Sequence, residues 1–218
     1  MRARILPSIS SHRLRAMAML GSVMVALYAA SLLAEAVVLA PTPSETEGPF
    51  YPRTLPADRD NDLTQVEGQP RSAQGTRLYL NGRVLAPDGR PMAGAIVELW
   101  QCDTFGRYHH VGDDGQPRDD GFQGYGTMTT DADGRFSFKT IRPVAYGGRV
   151  PHMHFKIRTA SGTLTTQLYI KGDPTKGDPV LAMSSPAELD RLTVTLAPAA
   201  GREPGALAAT FDFVVRQR

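Results

Sequence analysis

From residue 76 onward, apolar positions come in short runs set apart by turn residues. "TRLYLNGRVLA" (76–86) and "AIVELWQCD" (95–103) read as strands, with "PDGRPMAG" (87–94) as the turn segment between them. "GYGTMTTDADGRFSFKTI" (124–141) reads as a second pair hinged on "DADG", where Asp133 and Gly134 stand. "MHFKIRTA" (153–160) and "TTQLYI" (165–170) read as a hairpin around Ser161 and Gly162, and "RLTVTLA" (191–197) and "ATFDFVV" (209–215) close the chain. No stretch carries a sustained helical period. "SPAELDRL" (185–192) offers a Ser N-cap and one short helical turn. The sum predicts an all-β chain, an antiparallel β-sandwich over residues 76–218. Residues 41–75, rich in Pro, Gly and Asp, have no such pattern, and the span 37–75 reads as an extended arm lying across that body.

The first residues differ in kind. A basic stretch, "MRARILPSISSHRLR", precedes the apolar "AMAMLGSVMVALYAASLLAEAVVLA". This is the layout of a secretory signal, with cleavage expected after Ala30 or Ala36; Pro41 disfavours Ala40. The apolar run is long for a signal, although Glu35 shortens it. An uncleaved membrane anchor over 1–36, or a start placed too far upstream, are the alternatives. A genuine signal implies an exported protein, periplasmic or secreted; otherwise the chain is cytoplasmic. Contact with a membrane is expected only if the segment is retained.

Composition narrows the function. The chain has 218 residues, and once the first segment is set aside the remainder suits one domain with a core of its own. It carries 24 basic against 22 acidic residues, a net charge of +2. Arg2, Arg4, Arg13 and Arg15 all lie in the first segment, so the rest is close to neutral and gives no footprint for nucleic acid. The single cysteine, Cys102, rules out an internal disulfide. The 21 glycines and 17 prolines agree with a turn-rich β chain.

The candidate chemistry centres on histidine and tyrosine. In "GRVPHMHFKI", His152 and His154 are two apart in a strand, so both imidazoles point to one face, an arrangement suited to a metal. Alone, the pair reads equally as two partly exposed strand histidines. His109 and His110 are adjacent, so at most one could join a site, and both are expected to be exposed loop residues. Asp113, Asp114, Asp119 and Asp120 read as a solvated acidic turn, and Cys102 as core. Tyr108 and Tyr146 remain. A lone tyrosine is usually packing, but phenolate is a hard anionic donor that a highly charged metal can strip of its proton, and two phenolates with two imidazoles suit Fe(III). Zinc prefers Cys, His and carboxylate.

These motifs resemble those of the intradiol ring-cleavage dioxygenases, the non-haem iron(III) family that includes the protocatechuate and catechol dioxygenases. The resemblance runs through "TPSETEGPFYP", "DRDNDL", "GAIVELWQCDTFGRYHH", "GFQGYGTMTTDADGRFSFKTIRPVAY", "GRVPHMHFKI" and "TTQLYIKGDP". The order G-R-Y, I-R-P-x-x-Y, R-x-P-H-x-H is highly specific. The resemblance implies a β-sandwich and four iron ligands: Tyr108, Tyr146 as the one that leaves when substrate binds, His152 and His154. It also implies Arg149 over the substrate ring and Gln167 beside the oxygen site. The activity it implies is intradiol cleavage of a small aromatic diol by O2, giving a muconate-type dicarboxylate.

This chain departs from that pattern in one place. Only "GGRVP" separates Tyr146 from His152, where the protocatechuate enzymes have a longer stretch with aromatic residues that shape the pocket. A more open pocket, and a larger or different diol, are the expectation. The long helical N-terminal dimerisation region of the catechol branch is not expected here either, although the arm offers a surface on which a second copy could pack. A non-catalytic β-sandwich binding module, or a zinc or copper enzyme built on His152 and His154, are the competing readings.

Overall fold

The computed structural model describes residues 38–110 and 117–216; the expected signal or anchor over 1–36, and Asp113 and Asp114, lie outside them. Among the described residues no helix is long and apolar enough to cross a membrane.

Among the described residues, ten strands follow in chain order: β1 Arg77–Leu85, β2 Ile96–Trp100, β3 Tyr125–Thr129, β4 Arg135–Ile141, β5 His152–Thr159, β6 Gly162–Ile170, β7 Thr193–Val194, β8 Ala197–Pro198, β9 Leu207–Thr210 and β10 Phe213–Val214. One sheet has the order β3-β2-β5-β6-β7, and the other is built around β1, which pairs with β4, β9 and β10. The main apolar core draws on both: Leu78, Leu80, Phe136 and Phe138 from one, Val97, Leu99, Phe155 and Ile157 from the other. This is the expected all-β sandwich, with one correction to its pairing. The sheets are mixed, because β9 and β10 return beside β1 in parallel and β7 runs parallel to β6.

The turn segments also do more than the sequence indicates. β1 and β2 lie in different sheets, and so do β3 and β4. "PDGRPMAG" and "DADG" are therefore corners between the layers and do not close hairpins. Gly134 makes the second corner, at φ 71°, where an added Cβ would lie 2.7 Å from the carbonyl oxygen of Val84. The β5–β6 hairpin is as expected, closing Thr159 against Gly162. Among the described residues the one α-helix, α1 (Pro186–Asp190), has Ser185 as N-cap in a full capping box with Glu188.

The arm is fastened to its own body. Leu63 is fully buried in the main core, its N–H donating to Lys139 O (2.8 Å) and its carbonyl accepting from Gln123 N (2.9 Å). The register of β5 explains where the site falls. Met153, Phe155 and Ile157 point into the core, whereas His152, His154 and Lys156 share the opposite face and are buried too. The arm supplies part of that cover: Lys156 pairs with Glu47 and stands over the ring of Tyr51.

Candidate metal centre

Tyr108 reaches the site through a turn that Asp103 organises beyond the end of β2. The Oδ1 atom of Asp103 accepts from Phe105 N (2.8 Å) and Arg107 N (3.0 Å), while Oδ2 accepts from Asp119 N (2.8 Å). Gly106 sits inside that turn at φ 74°, and an added Cβ would stand 2.9 Å from Cβ of Tyr146. Tyr146 arrives from the other side. Its N–H and C=O exchange hydrogen bonds with Arg149 (3.1 and 2.7 Å) across Gly147 and Gly148, both at positive φ. That two-residue turn is the physical form of the short "GGRVP" stretch: it reverses the chain through two glycines at positive φ, a conformation that side chains disfavour.

The four expected donors converge. Tyr108 Oη lies 3.1 Å from Tyr146 Oη, Tyr146 Oη 3.3 Å from His152 Nε2, and His152 Nε2 3.1 Å from His154 Nε2. Donors held at about 2.1 Å from one metal and roughly 90–110° apart lie about 3.0–3.4 Å from each other, so the spacing fits a shared ion. The proton arrangement fits too. His152 Nδ1 donates to Val150 O (2.6 Å), which leaves Nε2 of the neutral ring with its lone pair turned to the other donors. His154 packs flat against Trp100 (centroids 5.0 Å, 12° between planes), and its Nδ1 is a buried atom with no partner among the described residues.

Electrostatics keep these groups neutral until a cation arrives. Burial, and then the Arg149 charge, lower His152 to about 4; burial, His152 and Arg149 hold His154 well below its ordinary value. Burial first, and then Tyr146, push the Tyr108 phenol well above 10. Burial raises Tyr146 as well, against the opposing pull of Tyr108 and Arg149. Phenols in this setting ionise only if a strong positive charge is placed among them. Among the described residues no three His, Cys, Asp or Glu side chains, the usual zinc ligand types, gather in one place.

Arg149 and Gln167 stand together beside this set. Arg149 Nη2 donates to Gln167 Oε1 (2.7 Å), and Gln167 Nε2 donates to Thr46 O (2.8 Å) in the arm. A cavity of about 680 Å³ opens beside Tyr146, the one donor in its wall, with Phe50, Phe105, Arg107 and Arg149 also lining it.

Two expectations are corrected. Asp119 is buried, not solvated: its carboxylate accepts from Gln74 N (2.6 Å) and Gly121 N (3.1 Å), so it braces the loop; Asp120 is exposed as expected. Neither His109 nor His110 is an exposed loop residue. Both are half-buried: His109 packs edge-on against Phe122, and His110 edge-on against Phe50, 5.8 Å between centroids. Three residues at the site are not among those singled out from the sequence. Phe50 lies in the unpatterned arm, Phe105 in a turn, and Asp178 in "KGDPTKGDPV", whose Gly-Asp-Pro repeats read as turns.

Comparison with known proteins assigns the chain to a family. The family profile described as Dioxygenase matches residues 46–217. The protocatechuate 3,4-dioxygenase beta chain of Burkholderia cepacia is 36% identical over 170 residues, 73% of this chain and 72% of that one. Catechol 1,2-dioxygenase 1 of Acinetobacter lwoffii is 34% identical over 152 residues, 61% of this chain but only 47% of that one, so this chain spans about half of its length. Among solved structures, the dioxygenase domain of a dioxygenase carbohydrate-binding protein fusion from Streptomyces sp. SirexAA-E superposes with a TM-score of 0.64 at 30% identity, covering 82% of this chain and all of that domain. The chain belongs to the intradiol ring-cleavage dioxygenases.

Proposed function

We propose that the chain holds Fe(III) on Tyr108, Tyr146, His152 and His154 and uses O2 to cleave a catechol-type diol between its two hydroxylated carbons, giving a muconate-type dicarboxylate. The convergence of two phenol oxygens and two imidazole nitrogens within 3.1–3.3 Å of their neighbours carries this reading. Bound Fe(III) supplies a Lewis acid that draws electron density from the diol and opens its ring carbons to O2.

The protein's own groups divide the remaining work. His152, fixed by its bond to Val150 O, and His154, fixed by Trp100, hold their positions as rigid neutral donors. Tyr108 is buried, whereas Tyr146 is half-buried on the cavity wall and is the phenol free to turn. Its oxygen is then the base that takes a proton from the incoming diol. Arg149 lines the same cavity and donates hydrogen bonds to negative charge that develops on the ring oxygens. Phe50 and Phe105 give the aromatic ring an apolar wall and exclude water from it.

Oxygen uptake by the iron-loaded protein across a panel of catechol, protocatechuate, hydroxyquinol and aryl-substituted catechols is the test, with the dicarboxylate identified by mass. Uptake with incorporation of both oxygen atoms into the product is expected. A protein that binds no iron, or that binds it without consuming oxygen on any diol, overturns the reading.

A further inference from the structure

Asp178 is a fully buried carboxylate outside the four-donor set. Its Oδ1 accepts from Val180 N (2.8 Å) and Leu181 N (3.2 Å), and its Oδ2 from Val150 N (2.9 Å). Both oxygens also lie 2.9 Å from a single atom, Nε of Arg149. Burial alone would raise this carboxyl, but the bonds from Val150 N, Arg149, Leu181 N and Val180 N outweigh it and hold Asp178 below its ordinary value. The guanidinium is thus tied at Nε to Asp178 and at Nη2 to Gln167, itself fixed by Thr46. Nη1 is the remaining nitrogen, with no acceptor among the described residues, on a side chain that lines the cavity. A planar fork held at two of its three nitrogens has one direction left for the third.

We propose that Asp178 is the positioning residue of Arg149: by seating Nε between its two oxygens, it turns the Nη1 edge toward the bound diol. The inference rests on the diol-cleaving role given above. An ion pair serving stability alone would engage the two donors of a guanidinium side that match two carboxylate oxygens. Here one N–H is shared between both oxygens, which fixes the angle of the fork and leaves the far edge unused. The backbone bonds from Val180 and Leu181 stop the carboxylate from following the arginine if it moves.

The test compares the full-length protein with Asp178→Asn and Arg149→Ala, singly and together. In the metal-free protein, the Arg149 Nε–H resonance is expected to exchange slowly with water, and at least tenfold faster in Asp178→Asn. With iron loaded and catechol as substrate, Asp178→Asn is expected to lower kcat by about 10–100-fold, the usual cost of losing a residue that orients a functional group, with KM changed less than threefold. In the Arg149→Ala background the same substitution should change kcat less than twofold, because the group it orients is gone. Unchanged exchange, or an equal loss of kcat in both backgrounds, overturns the proposal. If the unsubstituted enzyme consumes no oxygen with any diol, the diol-cleaving role fails, while the exchange measurement still decides whether Asp178 fixes Arg149. Should Asp178→Asn fail to fold, Asp178→Glu keeps the charge, displaces the fork by one methylene, and is read with the same expectations.

Discussion

The ring of Phe50 stacks on the ring of Tyr108, with centroids 4.6 Å apart and planes 14° from parallel. Tyr108 thus rests against a residue from the part of the chain with no regular structure. Phe50 is set there by its neighbour. Tyr51 packs edge-on against Trp100, donates its hydroxyl to Glu98 Oε2 (2.6 Å), and lies under Lys156 Nζ at 3.5 Å. One residue of the arm is locked to β2 and β5, and the next covers a proposed ligand.

Phe50→Ala should therefore loosen Tyr108 more than it loosens the fold. Loss of a stacked aromatic pair costs about 0.5–1.5 kcal/mol beyond the buried area. The expected outcome is a small drop in unfolding temperature, a broadened phenolate-to-iron absorption band, and a kcat lowered several-fold. An unaltered band in a protein with altered kcat would place the effect of Phe50 on the substrate instead of on Tyr108.

On the proposed Fe(III) site, a chelator added to the iron-loaded protein should abolish the visible colour and oxygen uptake together, and both should return on reloading. It should also lower the unfolding temperature, because an ion that binds only the folded chain stabilises it. Tyr108→Phe should shift or bleach the band and lower kcat by about 100-fold or more, a loss typical of breaking a charge-stabilising contact at a reacting centre. A spectrum that stayed unchanged would remove Tyr108 from the ligand set.

Phe105 is half exposed (50%) in the wall of a cavity large enough for more than one ring. Phe105→Ala should raise KM for aryl-substituted catechols by about 3–10-fold, the worth of one aromatic contact, and leave catechol within twofold. Thermal stability should not change. Equal effects on small and large diols would mean that Phe105 does not contact the substituent.

The metal-free protein should lose stability in mild acid. His152 titrates near 4 when folded, against about 6.5 when unfolded. Between those values the unfolded chain binds a proton that the folded chain refuses, so stability falls as pH is lowered through that window and is complete above about 6.5. Thermal melts across pH 4–7 should show this slope, and His152→Asn should reduce it, with the lowered His154 supplying part of the rest. A slope that persisted undiminished in that variant would assign it to other groups.

The sequence made much of this legible, for physical reasons. Strand alternation on β5 put His152 and His154 on one face because a period of two leaves no choice. Ser185, Pro186 and Glu188 announced α1 because a capping box is local chemistry. Sheet membership was not legible. The turn chemistry of "DADG" is the same whether it closes a hairpin or turns a corner between layers, and only the pairing of β4 with β1 decides. The parallel course of β9 and β10 likewise depends on contacts far apart in the chain. Asp178 was hidden for a related reason: a Gly-Asp-Pro run looks like a turn, and its carboxylate matters only because the fold brings Arg149 to it from 29 residues away.

The lone cysteine gives this architecture an internal clock. Cys102 is fully enclosed in the cluster that holds Trp100, Tyr108 and Tyr125, with Sγ 3.7 Å from the Val144 carbonyl. With no second thiol to react, every molecule labelled by a sulfhydryl reagent records one event, the parting of the packing behind the tyrosines. The rate of that labelling, with iron bound and with iron removed, times how often the centre breathes.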